Sequence, residues 1–98
     1  MTTPSSHPMS PLRDLHCMAH PALWPAWPYL PLARRGRGDL ECGLLFDAEA
    51  ARGLTGLRCT VWFCNLLLLP PTLEQFLALP REEFDSFEAV LAAGWRVD

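Results

Sequence analysis

Apolar residues are sparse at the amino terminus. Residues 1–11 hold three prolines, three serines and two threonines with almost nothing to bury. That pattern predicts a mobile Pro/Ser-rich tail over residues 1–18 and one folded domain over residues 19–98, and it leaves Met9 and Met18 beside Met1 as translation starts. Pro21, Pro25, Pro28 and Pro31 then punctuate the stretch HPALWPAWPYLP. Each proline disfavours helix at the residue before it, so an extended lead-in is expected, carrying Trp24, Trp27 and Tyr29. Residues 29–46 read as a β-hairpin around a three-residue loop, Gly36-Arg37-Gly38, with Gly38 in the left-handed conformation and Arg35 opposite Asp39. This register sets Leu32 against Cys42 and Leu30 against Leu44 on one apolar face, and Pro31 marks the first strand as an edge strand.

Residues 47–56 form a connection with one helical turn, capped by Asp47 and stopped by Gly53. Residues 57–66 predict a third strand, where Leu57, Cys59, Val61 and Phe63 alternate with Arg58, Thr60, Trp62 and Cys64 until Pro70-Pro71 follows. Thr72 stands three residues before Gln75 as a capping box for a helix with Leu73, Phe76 and Leu77 on one face. Residues 80–83 read as a tight corner. Asp85 and Glu88 repeat the capping pattern for a second helix whose stripe is Phe84, Phe87, Val90 and Leu91; Gly94 stops it and Trp95 folds back. The fold class that follows is α+β: a small antiparallel sheet of about three strands, a hairpin plus a third strand, covered on one face by two short C-terminal helices. Its expected core joins Leu44, Phe46, Val61, Phe63, Phe76, Phe87 and Leu91 in one cluster.

Composition narrows the function classes. With 98 residues, half of them apolar, and a net charge of −3, the chain suits a single soluble domain with little room for a deep catalytic cleft. All eight basic residues are arginine, and lysine and isoleucine are absent, a GC-rich, bacterial-like usage. Mild acidity weighs against general affinity for nucleic acid or an anionic membrane. The longest apolar run, residues 61–69 interrupted by Asn65, falls far short of the ~20 residues that span a bilayer. Lacking a basic region followed by an apolar one, the amino terminus predicts no secretory signal, a cytoplasmic location and reduced cysteines.

Candidate chemistry is thin. Cys17, His20, Cys42 and Cys59 supply the atom types of a zinc site, but Cys17 and His20 lack a second knuckle, and Cys42 and Cys59 fall on the expected core face. Neither a metal nor another cofactor is expected. No nucleophile motif or phosphate-cradling glycine loop occurs, so no catalytic residue is assigned. Arg34, Arg35 and Arg37 form the one basic cluster and would serve a nucleic-acid accessory protein. Arg37-Gly38-Asp39 spells an adhesion tripeptide, which the needs of a turn explain. Strand parity sends Trp62 away from the helices together with Arg58. That open face needs cover, either from Trp24, Trp27 and Tyr29 or from another molecule. The resulting expectation is a small non-enzymatic interaction or accessory module acting with a protein partner or a second copy of itself; a nucleic-acid-binding protein using the arginine hairpin and a small zinc protein are the alternatives.

Overall fold

The computed structural model describes residues 11–36, 38–47 and 58–98. Among them, five strands form one antiparallel sheet in the order β4-β3-β2-β1-β5: β1 Tyr29–Arg35, β2 Leu40–Phe46, β3 Thr60–Trp62, β4 Arg81–Glu83 and β5 Arg96–Val97. Three α-helices accompany it, α1 Pro11–Ala19, α2 Leu73–Leu77 and α3 Phe87–Ala92. The domain is therefore a mixed α/β unit, as the pattern predicts, with five strands in place of three. Neither added strand carries an apolar alternation. The expected corner at residues 80–83 is β4, paired through Val61↔Glu82, and β5 pairs through Leu32↔Val97. With β5 beside it, β1 lies inside the sheet; the Pro31 carbonyl accepts from the Asp98 amide, and proline needs no donor there.

The hairpin forms, but one residue out of the expected register. Tyr29 pairs with Phe46 and Arg35 with Leu40, leaving residues 36–39 as a four-residue connection in which Gly36 N donates to Asp39 O at 2.7 Å. Gly38 does adopt the left-handed conformation, with φ +78°. The shift has a physical cause: Leu44, Leu45 and Phe46 are all buried, so both parities of β2 face apolar surroundings and the pattern does not select one.

Burial on both faces replaces the single expected core with two. One cluster joins Leu30, Leu32, Leu45, Val61 and Trp95 beneath Met18, Trp24, Phe87 and Val90, which come from α1, the turn after it and α3. The other joins Leu44, Phe46 and Trp62 beneath Phe76 of α2. Phe63 and Leu91 pack on the first cluster, so the seven expected core residues are divided between opposite sides of the sheet.

Helix α1 brings residues 11–18 into the domain, where the sequence predicts tail. Pro11 opens it, a position at which the missing N–H costs nothing. The buried Asp14 carboxylate accepts from Arg96 Nε at 2.6 Å and from Val97 N at 3.2 Å, tying the helix to β5. Residues 1–10 and the turn expected over 47–56, apart from Asp47, lie outside the described residues. Caps at α2 follow the sequence, with Thr72 Oγ1 accepting from Gln75 N at 3.1 Å. At α3 the cap is Ser86, accepting from Ala89 N, one residue beyond the expected Asp85. Its far end is a Schellman closure: Gly94, at φ +99°, donates to Leu91 O at 2.9 Å and Trp95 N donates to Val90 O at 3.3 Å. The closure turns Trp95 into the sheet over Gly43. A Cβ added to Gly43 would meet Val61 Cγ1 at 2.5 Å and the Trp95 ring at 3.0 Å.

Candidate functional site

The arginines of the hairpin do not act as a cluster. Arg34 lies over the Trp95 ring, 4.4 Å from its centroid, with its Nε donating to Glu41 at 2.8 Å and its Nη1 to Glu82 at 3.1 Å. Trp95 Nε1 donates to the same Glu82 oxygen at 3.2 Å. The hydrogen bond to Glu41 and the charge of both carboxylates raise the Arg34 pKa, and the same bond lowers that of Glu41. This network commits two of the three guanidinium nitrogens of Arg34, Nε and Nη1, to partners within the domain. Arg35 is exposed, and Arg37 lies outside the described residues.

The expected metal-ligand candidates are not brought together. Cys17 sits on α1, and His20 follows it, stacked on His16 with ring centroids 4.2 Å apart. The shift of register places Cys42 on the α2 side with Leu44, whereas Cys59 packs against the opposite cluster. Among the described residues, no group of three or more His, Cys, Asp or Glu is disposed to hold a metal ion. Burial pushes the Cys17, Cys59 and Cys64 thiols up, which holds them protonated and weakens them as nucleophiles at neutral pH.

The aromatic residues read as a partner surface have different fates. Trp62 is fully buried, its ring 5.0 Å from that of Phe76, and its Nε1 donates to Leu77 O at 3.4 Å. The cover expected from Trp24, Trp27 and Tyr29 or from a second molecule comes mainly from α2. Tyr29 joins that cluster against Phe46 and Phe76. Trp24 is buried on the opposite side and donates to Cys17 O at 2.7 Å. Trp27 is 54% exposed, with its Nε1 donating to Asp47. Arg58 is exposed and lies over the Phe87 ring.

A different apolar surface emerges around residues 64–69. The chain leaves β3 at Trp62, and Asn65 then caps a 3-10 turn over Leu66–Leu68, its Oδ1 accepting from Leu67 N at 2.9 Å. Leu67 and Leu68 project outward, 89% and 75% exposed. Two clefts adjoin the turn, about 340 Å³ between β2 and residues 64–67 and about 460 Å³ beside Leu23, Pro25 and Val97. Pro31, Leu66 and Asp98 border both clefts, which lie side by side along this surface. The sequence predicts strand only over residues 57–66 and assigns no role to Leu67 and Leu68. The available signal was Asn65, a helix-capping residue set inside an apolar run that ends at Pro70-Pro71. Among the described residues, no helix is long and apolar enough to cross a membrane. Comparison with protein-family models, curated proteins and solved structures gives no match for this chain.

Proposed function

We propose that this protein is a non-enzymatic interaction module that binds a protein partner through the groove beside Leu67 and Leu68. One observation carries the reading: a side-chain-capped turn holds two adjacent leucines out in water next to an apolar groove. Single exposed leucines are common, and Leu12 and Leu40 are of that kind here. Two in succession, beside a concave apolar surface, supply both a protrusion and a pocket for a partner.

The sheet edges favour side-chain contacts over strand addition. At β5, Asp14 occupies the Val97 N–H. At β4 every residue is charged, Arg81, Glu82 and Glu83. Both devices discourage edge pairing with another chain. The test is capture of partners from the source cell by the full chain and by the double variant Leu67→Ser/Leu68→Ser, with light scattering on both. The reading expects a stoichiometric partner, or a dimer, that the variant loses while its melting temperature holds. Identical behaviour of the two proteins would overturn it.

A further inference from the structure

We infer that His16 and His20 form a surface site for a divalent transition-metal ion, copper(II) in first preference, with two imidazole nitrogens as its protein ligands. The site is separate from the leucine turn, since neither histidine borders the clefts beside it. Three observations carry it. First, the two rings are already together. His16 lies in the last turn of α1 and His20 four residues on, the spacing that sets two side chains on one helix face, and their ring centroids are 4.2 Å apart. Two nitrogens bound to one ion at ~2.0–2.1 Å stand about 3 Å from each other, a separation these rings reach by side-chain rotation.

Second, the hydrogen bond of His20 fixes its tautomer. Its Nδ1 lies 2.7 Å from the His16 carbonyl oxygen, which can only accept, so in the neutral ring Nδ1 carries the proton and Nε2 the lone pair. A backbone carbonyl behind the ring is what orients a metal-binding imidazole and raises its basicity. Both residues are exposed, and among the described residues neither His20 Nε2 nor either ring nitrogen of His16 has a hydrogen-bond partner. Third, the backbone under the pair is held. His20 N donates to Cys17 O at 3.1 Å, the His20 carbonyl accepts from Leu23 N at 2.9 Å, and Trp24 Nε1 donates to Cys17 O at 2.7 Å. The ligands are thus presented by an ordered chain, which lowers the cost of binding.

The donor set selects the ion. Cys17, between the histidines, packs against the first core cluster, so no thiolate joins the imidazoles. Two imidazoles, with the remaining positions left to water, favour copper(II) over nickel(II) and zinc(II) and disfavour magnesium and calcium, which take oxygen ligands. An ion held there staples the end of α1 to the chain that follows it, and α1 is the helix that Asp14 ties to β5.

The experiment titrates the 15N-labelled full chain with copper(II) chloride in a non-coordinating buffer at neutral pH and maps the paramagnetic broadening of its amides. At one equivalent the amides of residues 15–21 should broaden first, and magnesium chloride should leave them unmoved. His16→Asn and His20→Asn should each weaken copper binding at least about tenfold, and copper should raise the melting temperature of the wild type but of neither variant. Broadening centred on His7, the one histidine outside the pair, or on carboxylates elsewhere would overturn the site. Unchanged affinity in either variant would overturn it as well. The wild-type map decides by itself should a variant misfold.

Discussion

The two faces of the sheet are held by different physics. On the face under α1 and α3, apolar packing is overlaid with directional bonds between distant parts of the chain: Arg34 to Glu82, 48 residues apart, and Asp14 to Arg96, 82 residues apart. On the face under α2, four aromatic residues, Tyr29, Phe46, Trp62 and Phe76, pack with ring centroids 5.0 to 6.4 Å apart, and Trp62 Nε1 adds a long bond to Leu77 O. The covering segment there follows β3 directly in sequence. One face is fixed by geometry that tolerates little change. The other is covered by a lid of non-directional contacts, and it is beside that lid that the chain leaves leucines exposed.

Removing a tryptophan from each face should separate the two modes most strongly. Both are fully buried, and truncation of either costs on the order of 3–5 kcal/mol from lost burial and the cavity left behind. Trp95→Ala should be the worse, because it also strips Arg34 of its stacking surface and Glu82 of a donor. Denaturant midpoints compare them, and a larger loss in Trp62→Ala would show that the polar ties add nothing. Trp62→Glu sharpens the point: a carboxylate among the three remaining rings should unfold the monomer. A folded Trp62→Glu protein with only its partner lost would restore Trp62 as a surface residue. Phe63→Ala should cost less than either truncation, since Phe63 is only half-buried.

Second in size is Gly43→Ala, which forces a methyl group into the contact between Val61 and Trp95. Overpacking of this kind costs about 1–3 kcal/mol. Val61→Ala in the same chain should recover part of that loss, so the double variant should be more stable than the sum of the singles. Strict additivity would mean the sheet relaxes elsewhere.

These residues also mark where the sequence was legible. Local signals were sound: Gly38, Thr72 and Gly94 behave as turn, cap and stop because each answers a backbone need within a few residues. The parity of residues 59–64 also holds, with Val61 and Trp62 on opposite faces. What failed was what depended on assembly. The run of residues 44–46 is apolar at both parities, and a strand buried on both sides conceals its register. Strands β4 and β5 total five residues, four of them charged, and acquire strand conformation only from their neighbours. Helix α1 is anchored by Asp14 on residues at the far end of the chain. The groove was hidden for the same reason, since it exists only where residues 64–67 cross beside β1, β2 and Asp98.

Asp14→Asn should come third. The amide keeps an acceptor but removes the charge opposite Arg96, and because that arginine is partly exposed the loss is about 1–2 kcal/mol. Amide exchange should quicken in α1 and β5 while α2 stays protected. Uniform loosening of both faces would contradict their separation.

A smaller effect follows from Glu41. Its pKa is lowered by the Arg34 hydrogen bond, so its contribution is complete above the ordinary value of 4.5 and is lost as the pH falls through the depressed one. In Glu41→Gln the stability profile should be flatter below about pH 4.5, with no change at pH 7 in its slope. A wild-type Glu41 that titrates at the ordinary value would remove the pairing from the energetics of this face.

The least expected change in stability is also the most informative about function. Leu67 and Leu68 are held by Asn65 but contribute little to the core beneath them, so Leu67→Ser/Leu68→Ser should move the folding free energy by no more than about 0.5 kcal/mol. Asn65→Ala should act differently. It removes the acceptor of Leu67 N, loosens the turn at a cost of about 1 kcal/mol, and leaves both leucines present. If binding depends on the leucines being held in one place, both variants should weaken it although only the second weakens the fold. Were Asn65→Ala to bind as tightly as the parent, the leucines would be acting as loose apolar surface, and the capped turn would serve the α2 face alone.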